Sequence, residues 1–268
     1  MKIVIYTNER EHQKAHANAM AAGLKRHGIE GQIVPRGVLS KCDIAIIWGY
    51  KPKEFVGGME SLGARLLLME RGFFPDRMKW TALSWDRLNN RGKLPECQDQ
   101  GQRLESNWPG ILKPWKEDGC YALICGQLPG DAALNGLNLK EWAQGVTNIL
   151  VKQQGKRVRF RPHPWASDKE VCPVGAELSV DAPLEQDLAG AEFCVTFNSN
   201  SGVDAVLAGV PTVTLDAGAT PWPVASHSLN DFLVRPDRYY WVNKLAWCQW
   251  KLSEIENGTA WETLRTVM

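Results

Sequence analysis

The stretch KIVIYTNEREHQKAHANAMAAGLKRHG, residues 2–28, decides the fold class. Lys2–Thr7 is a short β-branched run with almost no polar alternation. From Glu11 to His27 the apolar residues Ala15, Ala19, Ala22 and Leu24 fall on or near one helical face, and Gly28 ends the run. A continuous apolar strand followed at once by a helix opens the βα unit of a parallel sheet buried on both faces. Working outward, Gln32–Val34, Asp43–Trp48 (DIAIIW, then Gly49) and Arg65–Met69 (RLLLM) read as further strands. The alternation returns in the second half. Tyr121–Cys125, Arg157–Arg161, Glu192–Phe197 and Thr212–Leu215 read as strands. Leu139–Gln153 reads as a helix with Trp142, Val146, Ile149 and Leu150 on one face. Val203–Ala208 is a short helix closed by Gly209 and Pro211. Between the halves, residues 89–119 are polar, aperiodic and rich in Gly and Pro, the composition of a connection. The expected fold is therefore α/β: two Rossmann-like domains facing a cleft. The expected divisions are residues 1–105, residues 106–240, and a Trp-rich, partly helical tail, 241–268, packing back on the first domain.

Length and composition agree with that reading. The chain has 268 residues, and at ~150 residues per domain this is one large domain or two small ones. Lys plus Arg is 31 against 30 for Asp plus Glu, a net charge of +1, so no global charge draws the chain to nucleic acid or anionic lipid. No apolar run is long enough to span a membrane, and the N-terminus lacks the pattern of a signal peptide. Seven cysteines, an odd number with no Cys-x-x-Cys pair, argue against a disulfide framework and a cysteine zinc site. They read as buried thiols of a cytoplasmic protein.

In open α/β sheets ligands sit beyond the carboxyl ends of the strands, so the loops there hold the candidate chemistry. Asn198-Ser199-Asn200-Ser201-Gly202 lies between a strand and a short helix. It reads either as a helix cap or as a phosphate cradle that Gly202 opens to close approach. In Arg161-Pro162-His163-Pro164 two prolines stiffen the backbone around a histidine. His163 can donate to a phosphate or leaving-group oxygen, and Arg161 can add a fork of donors. A structural turn histidine is the plain alternative. Cys125-Gly126-Gln127-Leu128-Pro129-Gly130-Asp131 offers Asp131 either as nucleophile or base, or as the cap of the next helix. Glu70, in Glu70-Arg71-Gly72-Phe73, follows a strand of the first half and can reach the cleft from the other side, or pair with a neighbouring arginine. His12 and His16 stand four apart on the first helix without the glutamate of a zinc motif, and read as surface or cap residues.

The order of these motifs resembles the Kdo transferases of bacterial capsule assembly, glycosyltransferases of the GT-B arrangement. That family's Gly-Gln loop with an acidic pair, Lys-Pro-His-Pro segment, and Thr-Ser turn into a helix ending Gly-x-Pro are matched in order. The matching residues are Gly126-Gln127 with Asp131, Arg161–Pro164, and Asn198–Gly202 through Gly209-Val210-Pro211. In the first half, Trp48-Gly49, Glu70–Phe73 and Leu83-Ser84-Trp85-Asp86 match more loosely. The resemblance covers most of residues 42–225. It implies a CMP-linked sugar donor, with a UDP-linked one kept open, Asp131 as the catalytic carboxylate and His163 at the donor phosphate. Ser199 and Ser201 would hold the nucleotide end. Gly126, Gln127, Arg161, Asn200, Gly202 and Asp204 complete the donor set, and Glu70 serves as a third catalytic candidate. It implies no other cofactor. No Asp-x-Asp motif is present, so no metal is expected.

The chain also departs from the family. Gly130 replaces the first acid of the pair, Asp204 stands for a helix glutamate, and Asp216–Trp222 replaces an aromatic segment. The sugar, the nucleotide and the acceptor, whether a glycan or a lipid-linked glycan, stay open. Three other readings stand beside glycan transfer. One is transfer to a hydroxymethylated base in DNA, for which residues 51–93, with Lys51, Lys53, Arg65, Arg71, Arg77, Lys79, Arg87 and Arg91, form a locally basic stretch. The others are a nucleotide-sugar epimerase and a non-catalytic module that kept the pocket.

Overall fold

The computed structural model describes residues 1–166, 172–179 and 181–268. In chain order the first elements are β1 (Ile3–Thr7), α1 (Glu11–Arg26), β2 (Gly31–Pro35), β3 (Ile44–Trp48), α2 (Lys53–Ser61), β4 (Arg65–Arg71), β5 (Thr81–Trp85) and α3 (Gln102–Asn107). There follow β6 (Tyr121–Cys125), α4 (Leu139–Asn148), β7 (Val158–Arg161), β8 (Glu177–Leu178), α5 (Leu184–Gly190), β9 (Ala191–Thr196), α6 (Ser201–Leu207) and β10 (Thr212–Thr214). The last are α7 (Tyr239–Ala246), β11 (Gln249–Trp250), α8 (Leu252–Glu256) and α9 (Thr259–Leu264). The chain divides into two compact units: Met1–Leu104 with Asn243–Met268, and Glu105–Val242.

The first unit is built on a six-stranded sheet in the order β11-β5-β4-β3-β1-β2. Alternate residues of its strands feed two cores. Ile3, Ile5, Ile46, Trp48 and Met69 pack against α1 and α9, while Val4, Tyr6, Ala45, Ile47 and Leu68 pack against Phe55, Val56 and Met59 of α2. Burial on both faces explains why these strands carry no polar alternation.

The sheet is mixed, a correction to the all-parallel expectation. β5 runs antiparallel to β4, and β11 antiparallel to β5. The segment between β4 and β5 holds only a single 3-10 turn, Arg77–Lys79, and is too short for the helical crossover a parallel return needs. The helix α2 was not legible in the sequence. Its Gly57-Gly58 pair masks a buried stripe of Phe55, Val56 and Met59.

The C-terminal segment is woven into this first unit by a strand as well as by helices. Trp250 on β11 and Trp261 on α9 are fully buried beside Trp85. Gln249 Oε1 accepts the backbone N–H groups of Phe73 (2.6 Å) and Phe74 (3.2 Å). Arg103 makes a bidentate pair with Glu254 (2.6 and 3.0 Å), donates to the carbonyls of Ala246 and Gln249, and stacks on Trp250 with its guanidinium carbon 4.4 Å from the ring centre. Trp241 instead belongs to the second unit, where its indole N–H donates to the Thr220 carbonyl.

The second unit carries a sheet in the order β10-β9-β6-β7-β8, with every pair parallel. The helix read as Leu139–Gln153 is α-helical to Asn148 and continues as a π turn, Ile149–Gln153. Arg238, buried, donates to the carbonyls of Val206 and Lys113 and lies 3.7 Å over the Trp115 ring. Val206 is in the last turn of α6, where carbonyls lack helical partners and a cation is favoured. Burial lowers the Arg238 pKa to about 10.

Candidate functional site

Because all strands of the second sheet are parallel, their carboxyl ends share one edge. The loops after β6, β7, β9 and β10 therefore come together there. The Gly126 N–H donates to the Arg161 carbonyl (2.8 Å), joining the first two loops. Gln127 is buried behind them. At the tip of the first loop Asp131 N–H donates to Leu128 O (3.1 Å) around Pro129 and Gly130, and Gly130 has φ +74°. Proline followed by a positive-φ glycine is the pattern of a type II turn, and it explains why no acid stands at 130. Asp131 Oδ1 accepts the Ala133 N–H (3.0 Å) and caps the 3-10 turn Ala132–Leu134. The capping role is thus realised, and it engages one carboxylate oxygen.

His163 lies just past β7. Its Nδ1 accepts the Trp165 backbone N–H (3.2 Å), so in the neutral ring the proton sits on Nε2, a donor. Its ring meets Trp165 edge to face at 5.8 Å, and Trp165 is 80% exposed. Arg161 departs from the expectation. Its Nη1 donates to Asp187 Oδ2 (2.7 Å) and the Ala182 carbonyl (2.6 Å) rather than projecting as a phosphate fork. Asp187, 1% exposed, also receives Arg159 Nη1 (3.3 Å) and Ser179 Oγ (2.5 Å). A buried carboxylate needs that many donors, and it draws Arg161 back along the strand.

In the loop after β9 the Ser199 N–H donates to Thr196 Oγ1 (3.0 Å) and Ser201 Oγ to Ser199 Oγ (2.9 Å). Asn200 takes the cap position of α6 without a side-chain cap bond, and Ser199 Oγ instead accepts the N–H of Ser201 at the helix start (3.4 Å). A Cβ on Gly202 would stand 2.9 Å from the Thr196 methyl and 3.0 Å from Pro221, so this glycine serves helix–loop packing. Asp204, half-buried on α6, adds to the rise of the Cys194 thiol pKa, which its bond to Cys125 and its burial drive first. The sequence reading missed Asp216. It is buried past β10 and accepts a hydrogen bond from Asn198 Nδ2, tying two loops together. An Asp just beyond a strand was its only sequence signal. Trp222 in the same loop stacks on His227, ring centres 3.4 Å apart and 5° from parallel.

In the first unit, β4 extends through Arg71. Glu70 is therefore a strand residue opposite Ala82 rather than a loop residue, and its Oε1 accepts the Arg71 N–H (2.9 Å). Against the surface reading His16 is buried, while His12 is half-buried. His16 is 8% exposed, and both rings meet Trp48 edge to face at 5.1 and 4.7 Å. His16 Nδ1 bonds the His12 carbonyl (2.5 Å), and its Nε2 bonds Thr81 Oγ1 (2.7 Å). Burial first, then the Arg71 and Arg10 cations, holds His12 below its ordinary value. Burial also lowers His16, with Arg71 and His12 adding to it against the carbonyl bond.

Within the basic stretch 51–93, Arg65 pairs with Asp86, Lys79 with Asp76 and Arg87 with Glu60, while the stretch as a whole keeps an excess of basic residues. Of the cysteines, Cys42, Cys125, Cys194 and Cys248 are buried. Cys120 is exposed, against the expectation of buried thiols throughout. Among the described residues no three His, Cys, Asp or Glu side chains group as a metal site, and no helix is long and apolar enough to cross a membrane.

No family model matches the sequence, and no curated protein does. Two solved structures from Thermosulfurimonas dismutans KpsC are similar along nearly the whole chain. One, a β-Kdo 2,4 transferase, has a TM-score of 0.62 at 10% identity, covering 91% of this chain and 90% of that one. The other, a β-Kdo 2,7 transferase, has a TM-score of 0.60 at 11% identity, covering 97% and 99%. The fold is the GT-B fold of these transferases. At this identity the likeness establishes architecture and leaves chemistry to the residues. Two Rossmann-like units, with the last strand and helices returned to the first, account for the topology of this GT-B chain.

Proposed function

We propose that the protein is a glycosyltransferase. The second unit binds a nucleotide-sugar donor, CMP- or UDP-linked, and the first unit binds the acceptor. The observation that carries this reading is the convergence at one sheet edge of Gly126-Gln127, Asp131, His163 and the 198–202 loop, within the fold shared with Kdo transferases. In this reading His163 Nε2–H donates to the donor phosphate, and Ser199 and Ser201 meet the nucleotide. A carboxylate oxygen of Asp131 attacks the anomeric carbon as the carbon–oxygen bond to phosphate breaks, the electron pair leaving on phosphate. The acceptor hydroxyl then displaces the carboxylate and loses its proton, and two inversions give retention. Glu70, in the first unit, is a candidate for the acceptor side. The free thiols fit a reducing, cytoplasmic setting.

The test is thermal stabilisation by CMP, UDP, GDP and their sugars, followed by nucleotide release with Asp131→Asn. A ligand at ~100 times its Kd adds ~2.7 kcal/mol, a readily seen shift. Asparagine keeps the cap and removes the nucleophile, so an Asp131→Asn protein with unchanged melting and unchanged turnover would sink the catalytic assignment.

A further inference from the structure

The segment after β10 carries two aromatic rings that the chemistry above leaves without a task. Trp222 and His227 lie face to face, ring centres 3.4 Å apart and 5° from parallel. The imidazole is held in that plane, because its Nε2–H donates to the Trp222 carbonyl (3.0 Å). Trp222 is half-buried and His227 exposed, so the imidazole covers the indole on one side and turns its other face to water. Among the described residues the His227 side chain makes no other hydrogen bond or ring contact. The backbone fixes both rings. Ser226 bridges Val213 of β10 in parallel, its N–H donating to the Thr212 carbonyl (2.8 Å) and its carbonyl accepting the Thr214 N–H (2.9 Å). His227 therefore leaves the sheet at the carboxyl edge, where the other loops gather. The Trp222 N–H donates to the Ala219 carbonyl (3.0 Å), and the Thr220 carbonyl accepts the Trp241 indole N–H (3.1 Å).

Two contacts set this stack beside the serine turn. Asp216, where the segment begins, accepts the Asn198 side chain. Pro221, the residue before Trp222, packs against the turn's glycine, where a Gly202 Cβ would stand 3.0 Å from the Pro221 ring. One residue thus separates the indole from a direct contact with the loop that carries Ser199 and Ser201. A flat ring already ordered by a stack and a hydrogen bond has lost its rotamer freedom before any ligand arrives, so covering its open face costs little further entropy. A nucleobase offers the matching planar face whatever its identity.

We propose that Trp222 and His227 form a platform on which the base of a bound nucleotide stacks, with Ser199 and Ser201 toward its ribose and phosphate. Naming that nucleotide as the sugar donor's rests on the glycosyl-transfer reading; stacking of a base on His227 does not.

The experiment follows the ring resonances of the five histidines by NMR in the full chain, with added CMP, UMP, GMP or ribose 5-phosphate. The expected result is a saturable shift of His227 with a nucleotide and none with ribose 5-phosphate, which lacks a base. His227→Ala should weaken nucleotide binding by about tenfold, the loss of one base–aromatic stack, and should leave the response to ribose 5-phosphate as it was. His227→Phe keeps a flat ring and should retain most of the affinity. A nucleotide that binds without moving His227, or that binds His227→Ala as tightly as the native protein, overturns the platform and leaves the donor reading standing. A base-dependent shift of His227 in a protein that releases no nucleotide from any of the sugars supports the platform and counts against transfer instead. Absence of binding by every nucleotide overturns both.

Discussion

Asp187 offers the most exacting test of the second unit. Its carboxylate is 1% exposed and receives Arg161, Arg159 and Ser179 at 2.7, 3.3 and 2.5 Å. Asp187→Ala leaves two partly buried arginines without their carboxylate, and breaking such a pair costs about 3–5 kcal/mol. Both arginines keep some compensation. Arg161 retains the Ala182 carbonyl at 2.6 Å, while Arg159 retains Glu177 at 3.7 Å and lies 4.2 Å over the Tyr121 ring. The loss should therefore sit at the lower end, about 3 kcal/mol. At about 2–4 °C per kcal/mol for a chain of this size, the transition should fall by roughly 6–12 °C. Asp187→Asn, which keeps an acceptor oxygen, should lose about half as much. Arg161→Met with Asp187→Leu removes a charge from each side and should recover much of the deficit, because a buried pair yields little net stability over apolar packing. Calorimetry and urea titration measure these values. Because Arg161 immediately precedes Pro162-His163, Asp187→Ala should also weaken nucleotide binding, while Asp187→Asn largely preserves it. A loss under about 1 kcal/mol for Asp187→Ala would refute the reasoning: it would mean that the arginines swing to solvent at no cost.

The remaining expectations are narrower. Asp131→Asn should leave melting unchanged and lower turnover by about three orders of magnitude or more, as removal of a reacting group does, measured as nucleotide release. Gly209→Ala should lose more than about 1 kcal/mol in urea denaturation, because Gly209 has φ +81° and its Cβ would stand 1.9 Å from the Pro114 carbonyl oxygen. Glu254 resists the upward push of its burial: hydrogen bonds from Arg103 and the Lys251 N–H hold its pKa below the ordinary 4.5. A depressed carboxylate pKa contributes stability above the unfolded value that is lost as pH falls through the folded value. The first unit should therefore weaken progressively below about pH 4.5, and Glu254→Gln should flatten that limb while lowering stability at pH 7. A Glu254→Gln protein with an unchanged acid limb would place the acid sensitivity elsewhere.

The first and second halves were legible to different depths. Strands such as Ile44–Trp48 and Tyr121–Cys125 are apolar at every position because both faces are covered, and that signal is local. Helix α1 showed its buried Ala19 and Leu24 but not that His16 sits among them, because an imidazole is buried only where partners such as Thr81 and the His12 carbonyl await it. At the candidate site the sequence placed Asp131, His163 and Asn198–Gly202 after strands, where the structure has them. It assigned Arg161 an outward role that the buried Asp187 removes, and it passed over Asp216. Both corrections involve partners distant in sequence, Asp187 for Arg161 and Asn198 for Asp216, that no local pattern announces.

By itself, the sequence determined the α/β class, the positions of the principal strands and the order of the loops that carry the candidate chemistry. Each of these follows from periodicity and turn chemistry within a few residues. Only the tertiary structure decided the antiparallel return of β5, the pairing of β11 with β5, the clamp of Arg103 on Glu254 and the bond of Arg36 to the Trp48 carbonyl. Those depend on which distant segments share a sheet edge or a buried charge. The selection is made by closure of the whole core and by the need to satisfy each buried polar group, not by the propensity of any one stretch.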